Sequence, residues 1–441
     1  MKRHNPLITG TIILTATGLL IRFIGFFYRI FLSRNFGAAN VGIYQLIAPV
    51  LALTFSLTVS GIQTAISKFV AGEPATRDYR SSLEHLFAGL GISLSLSAVA
   101  TLFIYQGSDF IASQLLLEPR TAPLLRILAL SVPLSAIHSC INGYYYGVRE
   151  TGIPAASQLI EQSLRVGSVY IIYQICISRG YEPTIAFAVL GLVIGECASM
   201  LFSLVAIRQR FGNFLIAAAP LHFPISSLFS AAKRLFMLAA PLSANRVILN
   251  LLQSIEAIYI PNRLMLHGLN NSAALSAYGV LTGMALPLVL FPSAITNSVS
   301  VLLLPVVSEA DSLLRKDTIQ KAVRLSTRFS LVLGVSCTAL FLFGGKFLGN
   351  MLFENAQVGN YIMTLSFLCP LLYLSSMLNS ILNGLGKTGL TFCYSVASLL
   401  LRLVFVFFFI PQFGMPGYLW GVLASQLLQT VLCLFAVRSY Y

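Results

Sequence analysis

Long apolar runs, broken by short polar connections, repeat along the whole chain. About 20 apolar residues cross the hydrocarbon core as a helix. Twelve runs meet that length: 7–32, 41–70, 84–105, 122–147, 154–178, 184–207, 234–261, 273–307, 322–345, 357–383, 389–410 and 416–437. They are continuously apolar and lack the alternation of a barrel strand, so a β-barrel is excluded. The predicted fold is an all-α polytopic membrane protein with 12 transmembrane helices. The longest connections, roughly 71–83, 106–121, 208–233 and 308–321, leave no room for a separate catalytic domain. The first run follows Met1-Lys2-Arg3-His4-Asn5-Pro6. It is too long for a signal-peptide core and has no clear cleavage site, so it is read as a retained helix.

The pattern also repeats. Pro133-LSAIHSCINGYYYGVRE-Thr151-Gly152 matches Pro370-LLYLSSMLNSILNGLGK-Thr388-Gly389 at an offset of 237. That offset pairs Asn142 with Asn379, Gly147 with Gly384 and Arg165 with Arg402. The last helix of each half aligns at 230, pairing Gly191 with Gly421 and Arg208 with Arg438. The chain therefore reads as two pseudo-symmetric six-helix bundles, 1–212 and 233–441, joined by a cytoplasmic linker at 213–232. Six is even, so both copies insert in the same orientation. Parallel repeats of this kind are the layout of alternating-access carriers with a site between the halves.

Composition changes the picture in one respect. Only 10% of residues are charged, against about 25% in a soluble domain, and 57% are hydrophobic. That excludes a soluble enzyme, a disordered chain and a nucleic-acid binder. Yet 28 Lys and Arg face 14 Asp and Glu, a net charge of +14. With the N-terminus inside, the inner loops and helix ends hold seventeen of the basic residues and the outer side six. Both termini are then cytoplasmic, in a multi-pass membrane protein. The seven cysteines lie in apolar stretches without CxxC or metal-ligand spacing, so neither a disulfide framework nor a metal site is expected.

Five basic residues remain inside the spans: Arg22, Arg29, Arg165, Arg246 and Arg402. Each costs at least about 2.5–3.5 kcal/mol at mid-bilayer and needs a reason to be there. Arg22 and Arg29 are seven apart and share a helix face. Arg246, Asn250 and Gln253 form one stripe, with Glu256 a turn further on. Glu161 and Arg165 stand at i,i+4 and can pair, as cavity or structural charges. Arg402 has no acid one turn away in its own helix. Glu196, mid-span among small neighbours, reads as a protonated or hydrogen-bonded structural group rather than an ion site. Five arginines exceed the three intramembrane acids, Glu161, Glu196 and Glu256. Surplus guanidinium suits a phosphate or carboxylate, because Arg offers a planar fork of donors. The expected substrate-binding residues in the central cavity are Arg22, Arg29, Arg246, Asn250, Gln253 and Glu256.

Arg22-FIGFFYRIFLSRNFGAANVGIYQ-Leu46, Gly61-IQTAISKFVA-Gly72 and Ser157-QLIEQSLR-Val166 resemble the stage V sporulation protein B family of polysaccharide transporters. That family belongs to the multidrug/oligosaccharidyl-lipid/polysaccharide flippase superfamily. The resemblance covers essentially the whole chain. It implies a V-shaped pair of six-helix bundles that move lipid-linked sugar precursors outward, in spore-cortex or other cell-wall synthesis. The related lipid II flippases have a similar first helix, Arg-x-x-Gly followed three residues later by an Arg-Asp pair. Arg22 and Gly25 match, but Tyr28-Arg29 replaces that pair. Many members also carry two further C-terminal helices that form a groove for the lipid tail; this chain ends after twelve.

The resulting expectation is a flippase, not an enzyme, for a lipid-linked sugar with a pyrophosphate head. Arg22, Arg29 and Arg246 hold the phosphates, and Asn250 and Gln253 bond the sugar. Partners are membrane lipids and cell-wall synthesis proteins, with no nucleic acid. No cofactor is expected beyond a coupling H+ or Na+, or the membrane potential, and Glu256 or Glu161 is the candidate coupling acid. The alternative is a multidrug and toxin exporter of the same fold. Such exporters usually place an acid in the first helices, and spans 7–32 and 41–70 contain no Asp or Glu. A membrane enzyme would need a DxD, an HxxxxD or a His-rich site; none occurs, and His4, His85, His138, His222 and His267 stand isolated.

Overall fold

A computed structural model describes residues 6–72, 79–217 and 225–440. Lys2, Arg3 and Arg77, three of the seventeen basic residues counted on the inner side, and linker residues 218–224 lie outside the described residues. Regular structure among the described residues is entirely helical. In lipid no water satisfies the backbone, so each segment must close its own hydrogen bonds.

The helices do not map one-to-one onto the expected spans. Nine described helices are long and apolar enough to cross a membrane, or eleven if each of two bent pairs is one span. Three local features separate this count from twelve. The first two runs merge into one apolar stretch, Ile12–Gly72, interrupted at Gly37, whose φ of 79° no other residue type adopts comfortably. The run at 273–307 breaks at Phe291–Pro292 into two helices. Helix Gly152–Ser178 carries Glu161 and Arg165 and is not among the nine.

The internal repeat is visible in three dimensions. The bent pair Pro119–Ala129 and Ser131–Gly147 turns by 44°, and Ala356–Leu365 and Leu368–Gly384 by 51°. Pro133 and Pro370 sit in the first turn of the second member of each pair, where a missing N–H is tolerated and backward extension of the helix is not. The tightest contacts match as well. A Cβ at Gly147 would stand 2.7 Å from Val70 Cβ and 2.9 Å from the Ser67 carbonyl oxygen. One at Gly384 would stand 3.0 Å from Val307 Cβ and 2.9 Å from the Leu304 carbonyl oxygen. Val307 and Leu304 follow Val70 and Ser67 by the same 237 positions.

Two compact units result: Met1–Gly25 with Leu46–Leu251, and Phe26–Gln45 with Leu252–Tyr441. The contacts do not divide at the expected 212/233 boundary. Within the second unit, Gly42 and Gly279 let residues 38–42 lie backbone-to-backbone on 275–279. Within the first, Gly61 admits the backbone of Ala239 and Ser243. The expected linker 213–232 is also shorter: helices Ala186–Ala217 and Ile225–Leu266 enter it from both sides.

Candidate functional site

The expected site residues fall into both units. Arg22, Arg246 and Asn250 belong to the first, and Arg29, Gln253 and Glu256 to the second.

In the first unit Arg22 lies on the helix beginning at Pro6 and Arg246 on Ile225–Leu266, and both side chains are exposed. Neither has a hydrogen-bond or ion-pair partner among the described residues. Asn250 donates from Nδ2 to the Ala52 carbonyl oxygen at 3.1 Å, so it holds a helix pair together. Gly25, one turn beyond Arg22, faces helix Gly152–Ser178: a Cβ there would meet Gln162 Nε2 at 3.5 Å.

Gln162 adjoins a buried polar cluster in the same unit. Arg165 donates from Nη2 to Glu161 one turn away, as the i,i+4 spacing predicts. Helix Ala186–Ala217 approaches this turn closely because Gly195 carries no side chain; a Cβ would fall 2.7 Å from the Glu161 carbonyl oxygen. The next residue, Glu196, is thereby set beside Glu161. Its Oε2 is 2.7 Å from His138 Nε2, on Ser131–Gly147. One side-chain nitrogen or oxygen each from His138, Glu161 and Glu196 lies within 4.8 Å of the other two. His138 and Glu196 are each only 8% exposed. Nearby, Ser157 hydroxyl-bonds to Ser199 at 2.6 Å, so hydroxyls join the same two helices.

The second unit treats its charges differently. Arg402 Nε is 2.7 Å from Glu256 Oε1, and the Tyr418 hydroxyl donates to the same oxygen at 2.7 Å. Glu256 is 6% exposed. Glu256, expected among the substrate contacts, is placed by the structure as the buried counter-ion of Arg402. Sequence spacing missed this because the acid comes from another helix. Arg29, expected to hold phosphate, is part-buried and donates from Nη1 to the Thr282 carbonyl oxygen at 3.2 Å. Gln253 is exposed. His138 is likewise not isolated: Glu196 is its partner. The signal that could have found it is the repeat, in which His138 stands where the other copy has Ser375.

Of the five intramembrane arginines, then, Arg29, Arg165 and Arg402 are engaged by protein groups. Arg22 and Arg246 have no such partner among the described residues.

Comparison with known proteins places this arrangement. Residues 7–311 match the family model described as polysaccharide biosynthesis protein. The chain is 30% identical over 429 residues to stage V sporulation protein B of Bacillus subtilis (strain 168), covering 96% of this chain and 82% of that one. It is 23% identical over 320 residues to lipid II flippase MurJ of the same organism, covering 69% and 58% respectively. Its fold is similar to an inward-facing multidrug resistance MATE family transporter of the MOP superfamily, with TM-score 0.72, 13% identity and 98% of each chain covered. An apolar all-helical chain with an internal repeat, matched across most of its length, belongs to the polysaccharide biosynthesis protein family.

Proposed function

We propose that this protein is a multi-pass flippase that carries a lipid-linked sugar with a pyrophosphate head from the cytoplasmic to the outer leaflet of the cell membrane. Family membership and likeness to a lipid II flippase support the class of cargo. The observation that carries the reading is the pair Arg22 and Arg246: two exposed guanidinium groups on apolar helices, with no described protein partner. Facing lipid they would be costly; facing a wet cavity they are suited to the two phosphates of the head group. Asn250 and Gln253 lie about one and about two turns beyond Arg246 on the same helix and complete a polar stripe for the sugar. The protein works as a carrier and not as an enzyme, and rocking of pre-existing states moves the head across. Both termini face the cytoplasm, where the basic loops are held by the negative inner surface.

The test is flipping of a fluorescent polyprenyl-pyrophosphate disaccharide in proteoliposomes. Arg22→Ala and Arg246→Ala are each expected to slow it by about tenfold or more, the loss of roughly 1.4 kcal/mol of head-group binding. Unchanged rates would sink the assignment. A cationic dye serves as the competing cargo, since the fold is shared with multidrug transporters. Surplus guanidinium should exclude it.

A further inference from the structure

The cluster His138–Glu196–Glu161–Arg165 has no part in holding the head group, yet it gathers four ionisable side chains inside the first unit. We propose that it is the coupling site of the transporter, binding one exchangeable proton on the His138–Glu196 pair; this rests on the transport reading above.

The first argument is charge balance. With His138 protonated, two cations face two carboxylates and the cluster is neutral. Loss of that one proton to water leaves the cluster at −1 within the apolar interior, a state that favours recapture. Glu161 is paired with Arg165 and lies beside Glu196 and His138. Other ionisable groups on the packed helices are placed elsewhere. Lys68, Glu84 and His85 lie near Phe69 and Val70, at the level of Gly147. That is nine residues, about 13 Å of helix, from His138. Arg126 is bound to Asp109.

The second argument is the repeat. An offset of 237 carries His138 to Ser375, and an offset of 230 carries Glu196 to Gln426. In the second unit Gln426 Nε2 donates to Ser375 Oγ at 2.5 Å. The two copies thus make the same helix-to-helix contact, one from an amide and a hydroxyl, the other from an imidazole and a carboxylate. Packing alone is satisfied by the neutral pair, so the ionisable pair supplies something packing does not need.

The third argument is access and ligand chemistry. Side-chain exposure rises from 10% and 11% at His138 and Glu196 to 18% and 20% at Glu161 and Arg165. Glu161 and Arg165 are thus the more exposed members, and Gln162, the residue after Glu161, is what a Cβ at Gly25, one turn from Arg22, would meet. Occupation of Arg22 by an anion and the charge state of the cluster are in this way set on adjoining turns. An imidazole is a poor ligand for a hard alkali cation. The Arg165 guanidinium on Glu161 opposes a divalent ion.

The experiment compares wild-type protein with the double variant His138→Ser with Glu196→Gln, which imports the pair already accommodated in the second unit. Two readouts are taken. In nanodiscs, the His138 resonance of 15N-histidine-labelled protein is followed between about pH 5 and 9. It should titrate, and Glu196→Gln should move its midpoint; a single protonation state throughout overturns the proposal even if no cargo moves. In proteoliposomes, a gradient of one pH unit should shift the steady-state distribution of the fluorescent lipid across the leaflets by about tenfold, for one proton per cycle. The double variant should equilibrate the lipid but ignore the gradient. A variant that still follows the pH gradient, or a wild type that follows a sodium gradient instead, refutes the proton site while leaving the flippase reading intact. A folded wild type that titrates at His138 but moves no lipid refutes the flippase reading and the coupling role with it.

Discussion

Arg402 and Glu256 meet at 2.7 Å from different helices, and Arg402 occupies the repeat position that Arg165 holds in the other copy. Arg165 takes its acid, Glu161, from its own helix. Both copies thus keep a part-buried arginine and neutralise it by different routes. What is retained is charge neutrality at that depth, not the identity of the partner.

Breaking the second pair should cost stability. Glu256→Gln leaves the Arg402 charge buried without compensation, a loss of about 3–5 kcal/mol. Thermal unfolding followed by size exclusion should show this as a marked drop in midpoint. Replacing both residues by leucine should recover most of it. A single variant as stable as wild type would show that Arg402 is solvated.

The arginines should separate by partner. Arg22→Ala and Arg246→Ala should leave stability within about 0.5 kcal/mol of wild type, as for substitutions that break no contact. Arg29→Ala removes a charged donor from the Thr282 carbonyl and should cost about 1.5–3 kcal/mol. The same unfolding assay distinguishes the two groups before any transport is measured.

The repeat makes a paired prediction. Gly147→Val and Gly384→Val each force a side chain against Val70 or Val307 at the same crossing. Each should cost at least about 1–3 kcal/mol from overpacking, and to a similar degree. A large effect in one copy and none in the other would contradict the equivalence of the two crossings.

Arg34 caps the helix Lys316–Phe353. It donates to the carbonyl oxygens of Leu352 at 2.8 Å and Met351 at 2.6 Å, and pairs with Glu354 at 3.5 Å. These are the unsatisfied acceptors at the negative end of the helix dipole. Arg34→Ala should cost about 0.3–1 kcal/mol, and high salt should shrink the difference, because the contact is exposed.

Most of the fold was legible in the apolar runs and the repeat. The 237-residue offset found in the residues between Pro133 and Gly152 reappears as matching helix ends and matching glycine crossings. The span count was less legible. A glycine kink such as Gly37 and a proline break such as Pro292 change helix continuity without changing composition. At the candidate site, Glu161–Arg165 was readable because i,i+4 neighbours meet on any helix. His138–Glu196 and Arg402–Glu256 were not, because nothing local links residues on different helices.

By itself, then, the sequence determined that the chain is helical, multiply membrane-spanning, duplicated and rich in intramembrane arginine. Those properties follow from apolar length, periodicity and charge count, which are local or additive. Only the tertiary structure decided which arginines are neutralised and which stay open. Pairing depends on which helix faces which, and it turns on side chains as small as Gly195, whose missing Cβ lets Glu196 reach the turn of Glu161.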